Sequence, residues 1–345
     1  MSAVRCRRIS LLLLALLAPA SAEVFAQGIE GLLPTPAEIP YRGRKVVIDF
    51  VPGGPRVTSL SVLCQPDGRE RRESRATHDI LIFDGTSSWQ YLPEKGIVLK
   101  RPSRGEGGEV LRPEQVRRAL ASYEVRREPG ATIAGRRSRA LEFTPRQGGS
   151  RPRRRVWVDV ETGLILRAEV YGTDSRLARL SVFEDLEYRP AVDRGAFLMR
   201  VPRGVRVVEA GAEPCLEPAE AERVSGIPVA LPAYLPAGFE RQCIKARRAP
   251  DYGEIQVVFG DGLSLLSLFS STKFHNLDGG GAGVALADIG HGTGQWHDLG
   301  LVSGISWRAP WAHMALLGEL SRGELHKVVG SVRPPGEPSP PTGRP

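Results

Sequence analysis

The chain has 345 residues and a formal charge of +8, enough length for two domains of ordinary size. After residue 22 no apolar stretch approaches the length of a membrane span, which argues against a helical membrane protein. Glycine (39) and proline (28) are frequent and aromatic residues make up only 6%, a composition that points to many short strands joined by turns.

Arg5, Arg7 and Arg8 form a positive start ahead of an apolar run over 9–18, interrupted by Ser10 alone. Ala20-Ser21-Ala22 then supplies the small residues that signal peptidase needs. The expectation is a leader over 1–22, cleaved near Ala22, and a soluble chain exported to the periplasm. Cys6 precedes the apolar run, so no lipoprotein acylation site is visible. Losing the leader lowers the formal charge by three. Nucleic acid is not expected as a partner of an exported chain. The mild arginine excess suits anionic lipid, lipopolysaccharide or an acidic protein segment.

Residues 45–50 are rich in β-branched side chains and stop at Pro52-Gly53-Gly54-Pro55, a strong breaker. Strands are expected next at 58–64, 78–83, 88–92 and 97–100, with the charged stretch 69–75 between the first two. One helix is expected after Pro113, with Val116, Ala119 and Leu120 on one face. Four consecutive strands follow at 136–144, 153–160, 164–171 and 177–186. Their alternation sets Val156 and Val158 against Arg155 and Trp157, and Leu164, Leu166, Ala168 and Val170 against Ile165, Arg167 and Glu169. Residues 28–208 form the first expected domain.

Residues 209–226 are acidic and rich in Ala and Pro, and read as a linker. A second domain is expected over 227–332, with strands at 254–259, 263–269, 284–289, 301–307 and 312–317. A closing helix is signalled by Ser321 and Glu324 at capping-box spacing. The Pro-rich tail 333–345 is expected to be disordered. Three cysteines remain after export. An odd count means one pair plus a free thiol, or no pair. Cys215 and Cys243, which flank the start of the second domain, are the candidate disulfide. Cys64 follows an alternating stretch and reads as a buried thiol.

No catalytic signature is present: no G-x-S-x-G, H-E-x-x-H, C-x-x-C or phosphate-binding lysine loop. The glycine run 279–283 lacks a following G-K-[ST] and reads as a loop. His275, Asp288, His291, His297 and Asp298 match no zinc framework. The expectation is a binding protein with no cofactor and no metal, not an enzyme.

Ala134-Gly135-Arg136, Trp157-Val158-Asp159 and Thr162-Gly163-Leu164, with Phe183 in the following strand, resemble the hallmark of the RseB/MucB family. Trp89-Gln90-Tyr91-Leu92-Pro93 resembles its W-x-Y-x-P strand. Leu235-Pro236-Ala237-Gly238-Phe239 and residues 261–269 resemble its second domain. The W-x-D-x-x-T-G-L core is shared more loosely with the lipoprotein carriers LolA and LolB, which lack that second domain. The resemblance implies a mostly β, α+β protein: a half-open antiparallel barrel of LolA-like fold with short helices, then a smaller α/β domain. It also implies a regulator that senses lipid or lipoprotein in an apolar groove. Its partner would be the periplasmic segment of a membrane anti-sigma factor. A lipid or lipoprotein carrier of the LolA type is the competing reading.

The inner face of the curved sheet, with Val156, Val158, Leu166 and Val170 on it and Trp89 and Tyr91 at its mouth, is the candidate groove. Arg151, Arg153, Arg154 and Arg155 form a basic run suited to an anion or an acidic partner.

Overall fold

The computed structural model describes residues 39–102, 112–193, 195–211, 214–273, 285–289 and 292–333. The leader, the tail after residue 333, the glycine run 279–283, His275 and His291 lie outside the described residues. No helix among the described residues is long and apolar enough to cross a membrane.

The pattern starts with β1 (Tyr41–Val51) and β2 (Gly54–Cys64), joined by a tight turn in which Gly53 (φ 95°) and Gly54 (φ 120°) hold conformations that a side chain would strain. The charged stretch contains a strand, β3 (Glu70–Ser74). Its buried ends, Glu70 and Ser74, show the period of two, and Glu70 escapes the cost of burial by accepting from Arg72 Nε at 2.6 Å. β4 (Ile80–Phe83), β5 (Ser87–Leu92) and β6 (Ile97–Pro102) continue as hairpins. A short helix, α1 (Pro113–Ala119), leads into β7 (Tyr123–Glu128), β8 (Thr132–Ile133) and β9 (Arg136–Pro145). The four clearest strands of the sequence are β9, β10 (Arg153–Asp159), β11 (Ile165–Tyr171) and β12 (Leu177–Tyr188); β13 (Arg206–Glu209) ends the domain.

These strands form one sheet in the order β13-β6-β5-β4-β3-β2-β1-β12-β11-β10-β9-β7, with β8 beside β9. Every described pair is antiparallel except β13 with β6. β13 and β7 stand at opposite ends, so the sheet does not close into a barrel. Its apolar residues pack in two clusters. Val116 and Ala119 of α1 meet Tyr123, Leu141, Phe143, Val156 and Val158. Tyr41, Val62, Cys64, Trp157, Leu166 and Phe183 form the other.

The second domain is a seven-stranded antiparallel sheet. Its strands are β15 (Glu240–Ala249), β16 (Tyr252–Gly260), β17 (Leu265–Ser271), β18 (Ala285–Asp288), β19 (Thr293–Asp298), β20 (Ser303–Arg308) and β21 (His313–Gly318). Their order is β15-β16-β17-β21-β20-β19-β18, and a two-stranded ribbon of β14 (Leu231–Pro232) and β22 (Val332–Arg333) stands apart. A helix, α2 (Pro218–Ser225), packs against this sheet together with α3 (Arg322–Gly330). The Ser321 hydroxyl accepts the Glu324 N–H at 3.3 Å, which caps α3 as the spacing suggests.

α2 lies inside the stretch whose composition reads as a linker. Pro218 is tolerated in a first turn, and the Ala and Glu residues that gave the segment its linker composition are good helix formers. Ala221 and Ser225 are buried against the second sheet, and Gly226 (φ 76°) ends the helix. The same segment is fastened by a disulfide between Cys215 and Cys243 of β15. Cys64 is the free thiol among the described residues. Burial, with the charge of Glu70, pushes its pKa up to about 11.

Candidate functional site at the seam between the domains

The motif of the first domain is a turn held by one carboxylate. Asp159, fully buried, accepts the N–H groups of Glu161 (2.7 Å) and Thr162 (3.2 Å) on one oxygen. Its other oxygen accepts Arg136 Nε and the Tyr188 hydroxyl, each at 2.8 Å. Gly163 supplies the left-handed conformation (φ 71°) that closes the turn. Burial opposes the charged form of Asp159. The Arg136 guanidinium, the two N–H groups and the Tyr188 hydroxyl outweigh it and hold the carboxyl below the usual range. Burial beside this carboxylate raises the Tyr188 phenol. Nothing in this arrangement is free to react; it fixes the β10–β11 turn to β9 and β12.

The same device recurs twice, where the sequence repeats Asp-Gly-x-Ser. Asp84 accepts the N–H groups of Thr86 and Ser87, and its other oxygen takes the Trp89 indole N–H at 2.7 Å. Asp261 accepts those of Leu263 (3.0 Å) and Ser264 (2.8 Å). Here the other oxygen takes Arg151 Nη1, at 2.8 Å, from the opposite domain. Both members of this pair are buried, with side chains 2% and 0% exposed.

Arg151 thus becomes the centre of the seam. Its Nη2 donates to the Ala237 carbonyl at 3.0 Å, and its guanidinium lies over the rings of Tyr123 and Phe239, one from each domain. Around it the Ser122 hydroxyl donates to the Ala237 carbonyl (2.6 Å), Ser321 N–H to the Ser150 carbonyl (2.9 Å) and Arg118 to Gln242 (2.9 Å). Arg154 pairs with Glu319 and reaches Ser264, while Leu263 packs into the α1 cluster. Burial and the charge of Asp261 push the Tyr123 phenol up to about 12.

The basic run therefore does not form a free anion patch. Arg151 and Arg154 join the domains, and Arg153 and Arg155 both pair with Glu142 on the neighbouring strand. Successive arginines leave a strand on alternate sides, so one run is divided among several internal acids. The candidate groove residues are divided too. Val156 and Val158 pack beneath α1, and Val170 is buried opposite Arg154. Leu166 lies in the other cluster because the β10–β11 pairing slips between Trp157 and Val158, breaking the period of two. Trp89 stands opposite Ile82 and Lys100, and Tyr91 opposite Ile80 and Val98.

Two cavities accompany this frame. One, of about 320 Å³, is lined by Ile80 and Arg71 of the sheet and by Ala196, Leu198 and Met199. None of the six groove residues chosen from the sequence lines it. The other, of about 750 Å³, lies beside the seam between the β1–β2 turn (Phe50, Val51), the β11–β12 turn (Asp174, Leu177) and the second domain (Leu301, Arg322). No group of three or more metal-ligating side chains occurs among the described residues. His297 is buried against the Ser306 hydroxyl at 2.8 Å.

Residues 67–200 match the family model described as the MucB/RseB N-terminal domain. That stretch of the first domain is similar to the MucB/RseB family. A crystal structure of MucB in complex with MucA(peri) aligns at a TM-score of 0.53 and 20% identity, covering 86% of this chain and 93% of that one. The Pseudomonas aeruginosa MucA/MucB complex aligns equally well, over 86% of this chain and 94% of that one. At this identity the likeness is one of fold, and it takes in both domains. No curated protein sequence matches the chain. Within the matched stretch, the W-V-D and T-G-L residues build the Asp159 turn. The seam residues Ser122, Arg151 and Asp261 were not legible as a set, because their meeting depends on how two separately folded units dock. The repeated Asp-Gly-x-Ser was the available signal for the turn, though not for its arginine.

Proposed function

We propose that this chain is a periplasmic regulator that holds the periplasmic segment of a membrane anti-sigma factor and slows its cleavage. The observation that carries this reading is the two-domain match to MucB bound to MucA(peri), together with a family-model match confined to the first domain. The buried Arg151–Asp261 seam supports it physically, since it holds both domains as one surface on which an extended segment can rest. A carrier of the LolA type needs only the first domain and has no use for such a seam. The finer part of the reading is lipid sensing. We assign an acyl chain to the cavity at Ile80, Leu198 and Met199, whose mixed lining also holds Asp193 and, suited to an anionic head, Arg71 and Arg200.

The test uses the mature chain with a peptide spanning the periplasmic segment of the cognate anti-sigma factor and the protease that first cuts it. The expected result is saturable protection of the peptide, weakened when Asp261→Ala loosens the seam. Cleavage at the unprotected rate with the chain in excess sinks the regulator reading. Transfer of lipoprotein between acceptors by the same preparation would put the carrier in its place.

A further inference from the structure

The segment that leads from β12 into β13 differs in chemistry from the strands around it. Residues 195–208 hold Arg200, Arg203 and Arg206 and no acid. On the neighbouring strands exposed arginines stand beside carboxylates, as in Arg42–Glu187, Arg44–Asp185 and Arg179–Asp49. Arg200, Arg203 and Arg206 are exposed and form no ion pair among the described residues. The same stretch carries Leu198, Val201 and Val207, three of the seven exposed large apolar side chains among the described residues. Leu198 is the most exposed of the seven, at 62%, while its neighbour Phe197 is buried under the Arg69 guanidinium and pins the segment to the sheet. Val205 N–H donates to the Pro202 carbonyl at 3.2 Å and Gly204 (φ 81°) completes this turn, which sets Arg203 at its tip. β13 then places Val207 opposite Val98, which stands opposite Tyr91 and, through it, in line with Ile80. Paired residues share a face, so Val207 lies on the side of the sheet where Ile80 meets Leu198.

Apolar side chains gathered on the surface mark a place of contact. Arginines set singly between them suit a bilayer, which offers phosphates to the guanidinium groups and room between headgroups for side chains that leave water. The nearest acids do not cancel the charge. Asp193 accepts the Gly195 N–H, and Glu209 is paired with Lys100. Glu94 and Lys95, in the turn before β6, carry opposite charges. We propose that residues 198–207 dock this chain on the surface of an anionic lipid bilayer, with the three arginines on headgroup phosphates and the three apolar side chains between the headgroups. Docking of this kind needs the exported location proposed above, but neither an anti-sigma factor nor a filled cavity.

The experiment is co-sedimentation of the full mature chain with vesicles of phosphatidylcholine, alone or mixed with phosphatidylglycerol. The wild type should bind the mixed vesicles only, and less as salt rises. Arg203→Gln with Arg206→Gln should weaken binding about 25-fold, or about fivefold for each charge removed. Val201→Ser with Val207→Ser should weaken it about tenfold through the lost apolar contacts. Thermal melts check that both variants fold. Neither pair lines the cavity at Ile80, and no peptide, protease or free fatty acid is present, so the regulator and acyl-chain readings can fail without touching this result. A wild type that binds neither kind of vesicle overturns the proposal, as does binding that survives both pairs of substitutions. If the arginine pair instead lost protection of the anti-sigma peptide and kept its vesicle binding, the surface would belong to a protein partner and the bilayer would be ruled out.

Discussion

The Asp159 turn and the Asp261 turn are built alike and do different work. Each follows a strand, each aspartate takes two backbone N–H groups on one oxygen and an arginine on the other, and each is followed by a glycine with positive φ. At Asp159 the arginine is Arg136, from a neighbouring strand of the same sheet, and a quarter of its side chain still meets solvent. At Asp261 the arginine is Arg151, from another domain and fully enclosed. A local turn of the same chemistry is thus a staple in one place and a latch in the other. The latch carries more risk, since losing one partner strands a buried charge with no water to accept it.

Asp261→Ala is the sharpest test of that contrast. It should weaken docking by about 3–5 kcal/mol, the usual cost of leaving one ion of a buried pair alone. Small-angle scattering should report a longer particle, and calorimetry two melting steps. One unchanged transition with an unchanged radius would mean that Asp261 is no latch. Replacing Arg151 and Asp261 together by apolar residues should recover much of the loss.

Next in size is Gly262→Ala. The residue has φ 98°, and an added Cβ would run into the Gln115 carbonyl oxygen and the Arg118 side chain across the seam. Strain and overpacking should together cost roughly 2–3 kcal/mol, again read as separation of the domains with each still folded.

Asp159→Asn should destabilise the first domain by about 1–3 kcal/mol without separating the domains, since a charged hydrogen bond is lost from a turn that stays in place. The pH dependence has a defined sign. The folded carboxyl titrates below its unfolded value, so its stabilisation is fully present above that value and is lost as pH falls through the lowered one. Acid melts of the wild type should therefore fall away below pH about 4, and those of Asp159→Asn should be flatter in that window. Equal slopes for the two proteins would contradict the assignment.

The smallest effect belongs to Gly163→Ala, at about 1 kcal/mol, because it forces a side chain into the left-handed region. If it separated the domains as Gly262→Ala should, the two turns would not differ as described.

Much of the fold was legible because period-two alternation survives at residues such as Val156, Val158 and Val170, and because turns carry Gly and Asp. What was hidden has identifiable causes. β3 is written in Glu, Arg and Ser, so its alternation shows only once Glu70 has its arginine. The composition of 218–225 suits a linker and a helix equally, and burial of Ala221 decides between them. A single slipped pair at Trp157 moved Leu166 out of the expected groove face. The arginine run was conspicuous in the sequence, but its partners Asp261 and Glu319 stand more than a hundred residues away.

The disulfide has a consequence for what happens when the latch opens. β13 holds Glu209 beside Lys100, and Cys215 is bonded to β15, so only residues 210–214 span the gap between the domains. Five residues reach at most about 18 Å when fully extended. Domains that part on so short a tether cannot diffuse away, and each sees the other at an effective concentration of roughly millimolar. Opening is then a brief excursion that a ligand can prolong by occupying the exposed faces, and re-closure needs no search. Reducing Cys215–Cys243 would lengthen the tether and make the same excursion slower to reverse.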